Sequence, residues 1–323
     1  MKILVTGGAG YIGSFMTNAL LQRGDEVVVI DSLERGHEEV VPQQAKFYKG
    51  NLLDKEFVTR VFSENKFDGV IHFAGFISMG ESMENPYIYF QNNTFSSLNL
   101  MEEMIKTGTN NLIFSSTAGV YGNPTIIPIP EDHPKNPENP YSESKIMVEK
   151  IMSWYQKTHG LNCAALRYFN AAGAALDASS GENHKPETHI IPNIIRAIQN
   201  GESFKLFGTD YHTKDGTCVR DYIHVLDLVE AHLLTLAKLQ KEKGMFVYNI
   251  GTGNGHSNRE VVEMVKKVSG ESLQTEDSAR RPGDADTLIA DSSKIRQELG
   301  FSPKYSDLET IVKTAWQWHN KQS

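Results

Sequence analysis

Near its start the chain runs Ile3-Leu4-Val5-Thr6 and then Gly7-Gly8-Ala9-Gly10-Tyr11-Ile12-Gly13, a strand pattern that passes through glycines into a helical pattern. No other feature constrains the fold as much. Without Cβ atoms at Gly7, Gly10 and Gly13, backbone N–H groups can approach a pyrophosphate at the N-terminus of the helix. The run satisfies both the G-x-G-x-x-G and the G-x-x-G-x-x-G spacing in the strand–turn–helix context that gives such spacings meaning. An acid, Asp31, stands 18 positions after Gly13, at the end of the next strand pattern. A carboxylate there accepts hydrogen bonds from the adenosine ribose and repels a 2′-phosphate, which predicts NAD rather than NADP. Arg35 is the one nearby cation that softens this preference.

A strand–turn–helix start requires more of the same. Short β-branched runs at 3–6, 26–30, 46–49, 69–72, 111–115 and 162–168 alternate with 3.6-period segments at about 12–24, 54–64, 86–107 and 141–159. Such alternation predicts a doubly wound parallel sheet covered by helices on both faces, an α/β Rossmann fold. After Asn170 the regularity breaks, and residues 173–188 are rich in Ala, Gly, Ser and Asn. The expected division is therefore an NAD-binding domain at 1–170 and a smaller α/β substrate-binding domain at 171–323. The second part carries helical patterns at 189–200, 225–240 and 258–269, the last ended by Gly270, and an apolar strand at 245–250.

Composition narrows the partners. The formal charge of −8 comes without a Lys/Arg-dense segment, so nucleic acid is not an expected partner. Two distant cysteines, Cys163 and Cys218, do not make a disulfide framework or a thiolate metal site. No metal is expected either, because His184, His189, His212, His224, His232 and His256 show no H-x-x-x-H pairing. There is no signal-peptide pattern after Met1 and no run approaching about 20 apolar residues, which predicts a cytoplasmic protein without a membrane association.

Tyr141 and Lys145 lie four apart in a helical pattern and so share one face. With twelve tyrosines in the chain a chance Y-x-x-x-K match is expected, and the spacing gains weight only because it follows a dinucleotide-binding half. Thr117 follows the 111–115 strand, at the end of the sheet where open α/β folds bind ligands. Oxidation of a secondary alcohol needs a base for the hydroxyl proton while the cofactor takes hydride. Bringing a phenol from a pKa of about 10 to about 7 takes roughly 4 kcal/mol, and an ammonium about 5 Å away supplies about 3 at an effective dielectric of about 20. On this reading Tyr141 is the acid/base, Lys145 lowers its pKa and anchors the nicotinamide ribose, and Thr117 hydrogen-bonds the reacting oxygen.

Together with their surroundings these elements resemble the extended short-chain dehydrogenase/reductase family, and within it the UDP-glucose/UDP-galactose 4-epimerases. The likeness runs almost end to end: V-T-G-G-A-G-Y-I-G-S at Val5, I-H-F-A-G at Ile71, I-F-S-S-T-A-G-V-Y-G at Ile113, N-P-Y-S-E-S-K at Asn139, L-R-Y-F-N at Leu166, G-T-C-V-R-D-Y-I-H-V-x-D-L at Gly216 and R-R-P-G-D at Arg280. The resemblance implies that Gly7, Gly10, Tyr11, Ile12, Gly13, Asp31, Asn51, Leu52, Phe73, Ala74, Gly75, Asn93 and Phe169 line the NAD site together with Thr117, Tyr141 and Lys145. It implies that Asn170, His189, Ile190, Leu206, Phe207, Arg220, Arg281, Asp284 and Leu288 hold a UDP-hexose together with Thr117 and Tyr141. Two arginines suit a pyrophosphate, and Phe207 offers an apolar surface to uracil. The family usually has Asp at Asn51, often Lys at Ile77 and often Ser at Thr117. In the implied reaction the sugar C4 hydride passes to NAD, the 4-ketohexose turns over, and hydride returns to the opposite face. A homodimer, pairing the helices at about 86–107 and 141–159, is implied as well.

A nucleotide-sugar 4,6-dehydratase needs an Asp-Glu pair directly after the catalytic Thr. Here Ala118 and Gly119 follow Thr117, which disfavours elimination and likewise a uronate decarboxylase. An epimerase acting on UDP-N-acetylhexosamines or a UDP-uronic acid stays open; in the family a bulky residue at the position of Leu288 excludes the acetamido group, and Leu is intermediate. A non-catalytic NAD sensor of the same fold is disfavoured by the joint presence of Thr117, Tyr141 and Lys145.

Overall fold

A computed structural model describes residues 1–280 and 284–322. Thirteen strands occur among the described residues: β1 Lys2–Thr6, β2 Glu26–Asp31, β3 Lys46–Lys49, β4 Gly69–His72, β5 Asn111–Thr117, β6 Asn162–Tyr168, β7 Asn170–Ala172, β8 Phe204–Phe207, β9 Val219–His224, β10 Met245–Ile250, β11 Gly255–Ser257, β12 Thr275–Ser278 and β13 Thr287–Leu288. They fall into two compact units, each assembled from discontinuous stretches of chain. The first comprises Met1–Val120, Pro137–Arg167 and Ala231–Tyr248; the second comprises Tyr121–Asn136, Tyr168–Glu230 and Asn249–Ser323.

The first unit is built on a seven-stranded sheet of order β10-β6-β5-β4-β1-β2-β3. β1 pairs in parallel with β2 and with β4, so the strand order reverses beside β1 and opens a crevice beyond the carboxyl ends of these strands. The strands read as continuous apolar runs because helices cover both faces; Ile3, Leu4, Val5 and Val27 to Ile30 are all buried. Leu4, Val28, Val70, Leu112 and Phe114 join Phe57, Val61, Leu100, Met104 and Met152 from the helices in one core. Each such side chain contributes about 1.5–3 kcal/mol by leaving water. The strand at 245–250 is one element the sequence placed in the wrong company. It forms as expected but joins the end of this sheet beside β6, a pairing across about eighty residues that local pattern does not encode.

Helix boundaries follow local chemistry. The helix Lys55–Glu64 starts where the Asp54 carboxylate accepts from the Phe57 amide at 3.0 Å. Residues 86–107 form the long helical segment expected, with one irregularity: Phe90–Phe95 is a π-helical turn between Pro86–Tyr89 and Ser96–Thr107. Such turns concentrate at functional sites, and this one carries Asn93. The helix Pro140–His159 begins with Asn139 capping the Ser142 amide at 2.9 Å and Pro140 in its first turn, and ends at Gly160 with φ 71°.

In the second unit the amphipathic helices Ile190–Asn200, Asn258–Ser269 and Leu308–Gln322 bury Ile194, Ile195, Val261, Val265, Ile311 and Val312 in a separate core. Asn258–Ser269 closes at Gly270 as expected and opens with a reciprocal Ser257–Glu260 capping box that the sequence reading did not name. β9 is the centre of its larger sheet, flanked by β11, β13 and β7. No helix among the described residues is long and apolar enough to cross a membrane.

Candidate active site

At the end of β1 the Gly7 amide donates to the Ile30 carbonyl at 2.8 Å with φ +73°. A Cβ at Gly7 would lie 2.6 Å from the Ala74 nitrogen, and one at Gly13 only 2.1 Å from the Gly7 oxygen. The turn therefore closes only with glycine. Gly10 caps the helix Tyr11–Gln22 without any side-chain hydrogen bond, and no acid occupies the first turn, which leaves its N–H groups and dipole directed at an anion. Asp31 stands beside this turn with Oδ2 accepting from the Ala9 amide at 3.0 Å and Oδ1 from the Leu33 amide at 2.9 Å. Burial pushes its carboxyl up, and those two hydrogen bonds oppose the shift.

The other residues expected at the dinucleotide differ in what they can offer. The Phe73 and Ala74 amides both donate to the Thr6 carbonyl, at 3.0 and 3.1 Å, fixing that loop against β1. Gly75 is crowded: a Cβ there would meet Asn93 Oδ1 at 3.1 Å and Lys145 Nζ at 3.5 Å. Asn51 directs its one acceptor oxygen to the Leu53 amide at 2.8 Å, so that oxygen is already shared. Leu52 belongs to the same core as Val28 and Ile30, and its carbonyl already accepts from Asn99 Nδ2 at 3.0 Å. Tyr11 is buried, Ile12 is half-buried, and Phe169 is a half-buried residue of the second unit. A cradle without Cβ atoms, an open helix N-terminus and an acceptor carboxylate fit the pyrophosphate and ribose of an adenine dinucleotide.

Tyr141 and Lys145 share the inner face of Pro140–His159 and are 9% and 2% exposed. The Thr117 hydroxyl, at the end of β5, hydrogen-bonds the Tyr141 phenol and accepts from the Gly119 amide at 3.1 Å. Lys145 Nζ donates to the Ser115 carbonyl at 2.9 Å and stands 4.9 Å from the Phe114 ring centroid and 5.9 Å from that of Tyr141. The pair singled out by spacing and the hydroxyl singled out by its place at a strand end are thus one buried constellation. Its electrostatics differ from expectation. Burial pushes the Tyr141 phenol up to about 12, with the Thr117 hydrogen bond pulling the other way, and burial brings Lys145 down to about 8. Desolvation of a phenolate outweighs what the neighbouring side chains return.

In the second unit, Arg220 on β9 donates from Nη2 to Asp284 Oδ1 at 3.0 Å and from Nη1 to the Val219 carbonyl at 2.9 Å, so any anion must share its charge with Asp284. Leu288 on β13 is in register with Arg220, and Asn170 on β7 with Tyr222 of the same central strand. Those four residues are brought together around β9. Asn170 Nδ2 is engaged by the Asp221 carbonyl at 3.0 Å. Leu206 is buried and Phe207 half-buried on β8. His189 and Ile190 start the helix Ile190–Asn200. Arg281 lies outside the described residues.

A sequence profile described as the NAD dependent epimerase/dehydratase family matches residues 3–251. The chain belongs to the NAD-dependent epimerase/dehydratase family. It is 49% identical over 323 residues to the UDP-glucose 4-epimerase of Streptococcus mutans, covering 99% of this chain and 97% of that relative. Among solved structures, a UDP-glucose 4-epimerase from Brucella ovis in complex with NAD superposes with a TM-score of 0.93 at 41% identity, covering 98% of this chain and 97% of the other. The enzyme from Bifidobacterium longum in complex with NAD+ and UDP gives 0.94 at 36% identity, with 99% and 98% covered.

Three groups in this family member support the constellation, of which His72 and Glu149 escaped the sequence reading. Asn93 Nδ2 donates to the Phe76 carbonyl and to Ser144 Oγ, both at 3.0 Å, and its Oδ1 accepts from the Phe76 amide at 2.8 Å. The sequence reading expected Asn93 to line the dinucleotide site; its bracing of the loop after Gly75 was not foreseen. His72 is buried between Thr6 Oγ1 at 2.6 Å and Ser97 Oγ at 2.8 Å. Glu149, one turn beyond Lys145, accepts from Ser116 Oγ at 2.5 Å and pairs with Arg167. An acid at i+4 from Lys145 on a helix face bearing Ile146, Val148 and Met152 was the available signal.

Proposed function

We propose that this chain is a UDP-galactose 4-epimerase, which interconverts UDP-galactose and UDP-glucose with bound NAD and serves galactose metabolism. The observation that carries this reading is the buried set Thr117, Tyr141 and Lys145 beside a glycine turn, in a chain that matches UDP-glucose 4-epimerases nearly end to end.

NAD, when bound, supplies the hydride acceptor for sugar C4 and a positive charge near the phenol. Gly7, Gly10, Gly13 and the helix start after them hold its pyrophosphate, Asp31 its adenosine ribose, and Asn93 and Lys145 the other half. Tyr141 removes the C4 hydroxyl proton and later returns one to the oxygen. Thr117 holds that oxygen in line with the phenol. From about 12, the phenol needs roughly 7 kcal/mol to reach a pKa near 7, at about 1.36 kcal/mol per unit. A Lys145 ammonium 5.9 Å from the ring centroid covers less than half, about 3 kcal/mol at an effective dielectric of about 20, so this chain depends on further positive charge for its base.

In this reading residues 1–170 bind the dinucleotide and 171–323 the sugar nucleotide. Arg220, Arg281 and Asp284 manage the substrate pyrophosphate, Leu206 and Phe207 the uracil, and Asn170, His189, Ile190 and Leu288 the rest of the UDP-hexose. The protein works in the cytoplasm as a homodimer. Tyr87, Phe95 and Trp154, large apolar side chains 69%, 60% and 64% exposed on helices 86–107 and 140–159, support the pairing face; light scattering should give twice the chain mass.

Incubation of purified protein with UDP-galactose and, separately, with UDP-N-acetylgalactosamine tests the reading by product analysis. UDP-glucose from the first is expected; no conversion of either sugar nucleotide would reject it.

A further inference from the structure

Residues 182–189 place two carboxylates and two imidazoles in one cluster of the second unit. One ligand atom from each of Glu182, His184, Glu187 and His189 lies within 4.8 Å of all the others. His184 Nδ1 faces Glu182 Oε1 at 2.9 Å, and His189 Nδ1 bonds the same oxygen. Glu182 is buried and Glu187 half-buried, with their side chains 4% and 1% exposed. Glu187 Oε1 accepts from the Thr188 and His189 amides at 2.8 and 3.0 Å. Its Oε2 accepts no hydrogen bond from any described residue and meets only the Arg196 guanidinium at 4.0 Å.

We propose that Glu182, His184, Glu187 and His189 form a binding site for a divalent cation of the zinc class. Two buried carboxylates close together repel, and a 2+ charge cancels theirs while giving Glu187 Oε2 a partner. Two nitrogen and two oxygen donors suit zinc, whereas calcium and magnesium prefer oxygen alone. A tetrahedral ion with bonds of about 2.1 Å needs donors about 3.4 Å apart, so Glu187 Oε1 has to approach the two imidazoles from 3.9 Å while both imidazoles move back from Glu182 Oε1. The backbone that carries the donors is held in place: Trp318 Nε1 donates to the Glu182 carbonyl at 3.1 Å, and Arg196 Nη2 to the His184 carbonyl at 3.4 Å.

The expectation of no metal rested on histidine pairs at helical spacing. His184 and His189 are five apart on a loop, and only the fold of 182–189 brings them together. The ion ties this loop to the start of the helix Ile190–Asn200. The cluster shares His189 with the residues assigned above to the sugar nucleotide, and zinc binding is read without turnover, so failure of either reading is distinguishable from failure of the other.

The test uses the full-length protein after chelator treatment and dialysis. Equilibrium dialysis against Zn2+ should give one ion per chain and raise the thermal unfolding midpoint, and Co2+ should give a visible ligand-field band. Glu187→Gln and His184→Asn, each confirmed folded by circular dichroism, should weaken Zn2+ binding at least tenfold. Substoichiometric zinc in the wild type, no Co2+ band, equal protection by Mg2+, or unchanged binding in both variants would overturn the proposal.

Discussion

Glu149 and Arg167 are joined by two hydrogen bonds, Nη2 to Oε2 at 2.6 Å and Nε to Oε1 at 3.0 Å, with both side chains 4% exposed. Through Ser116, which donates to Glu149 Oε1, the pair binds the helix of Tyr141 and Lys145 to the strand of Thr117. Removing one partner leaves a charge buried alone. Arg167→Met should therefore lower stability by about 3–5 kcal/mol in urea denaturation, and adding Glu149→Gln should recover part of the loss. A change below about 1 kcal/mol would mean that the pair is not buried in solution.

Gly13 and Gly24 make a controlled pair. A Cβ at Gly13 collides with the Gly7 carbonyl at 2.1 Å, whereas at Gly24, with φ +87°, nothing lies within 4 Å. Gly13→Ala should abolish NAD retention, measured as nicotinamide released on denaturation. Gly24→Ala should cost about 1 kcal/mol from its left-handed backbone and leave retention intact.

Tyr141→Phe removes one hydroxyl from a buried position and no volume of consequence. Turnover of UDP-galactose should fall by about 10²–10⁴ while bound NAD remains. Retained turnover would assign the proton transfer to another group.

His72 is held neutral. Burial first, then the charge of Lys145, lowers its pKa from 6.5 to about 3. Between those values the unfolded chain binds the extra proton, so stability is lost as pH falls below about 6.5, by up to about 1.4 kcal/mol per pH unit from this residue. His224, lowered to about 4 by burial, adds in the same direction. The stability difference between wild type and His72→Gln, from denaturation at pH 7.5 and 5.5, should shrink at the lower pH. A pH-independent difference would place a charged imidazole in the fold.

Much of the first unit was legible because its signals are local. The buried stretch 27–30 is apolar throughout, Asn139, Pro140 and Gly160 punctuate the helix of Tyr141 and Lys145, and the glycine turn leaves no sterically permitted alternative. The short strands β7, β8, β9, β11, β12 and β13 were not anticipated. Runs of two to six residues carry too little periodicity, and what makes them strands is pairing with distant chain, as Thr287↔Val219 and Thr275↔Phe204 show.

By itself the sequence determined the strand–glycine turn–helix start, the parallel-sheet pattern that follows it and the helical phase of Tyr141 and Lys145, since each depends on backbone geometry within a few positions. Tertiary structure alone decided that β10 closes the sheet, that Thr117 meets Tyr141, that the phenol is driven up to about 12, and that four side chains of 182–189 converge. Those outcomes depend on desolvation and on contacts between residues far apart in sequence, quantities set by what surrounds a side chain in space and not by its neighbours along the chain.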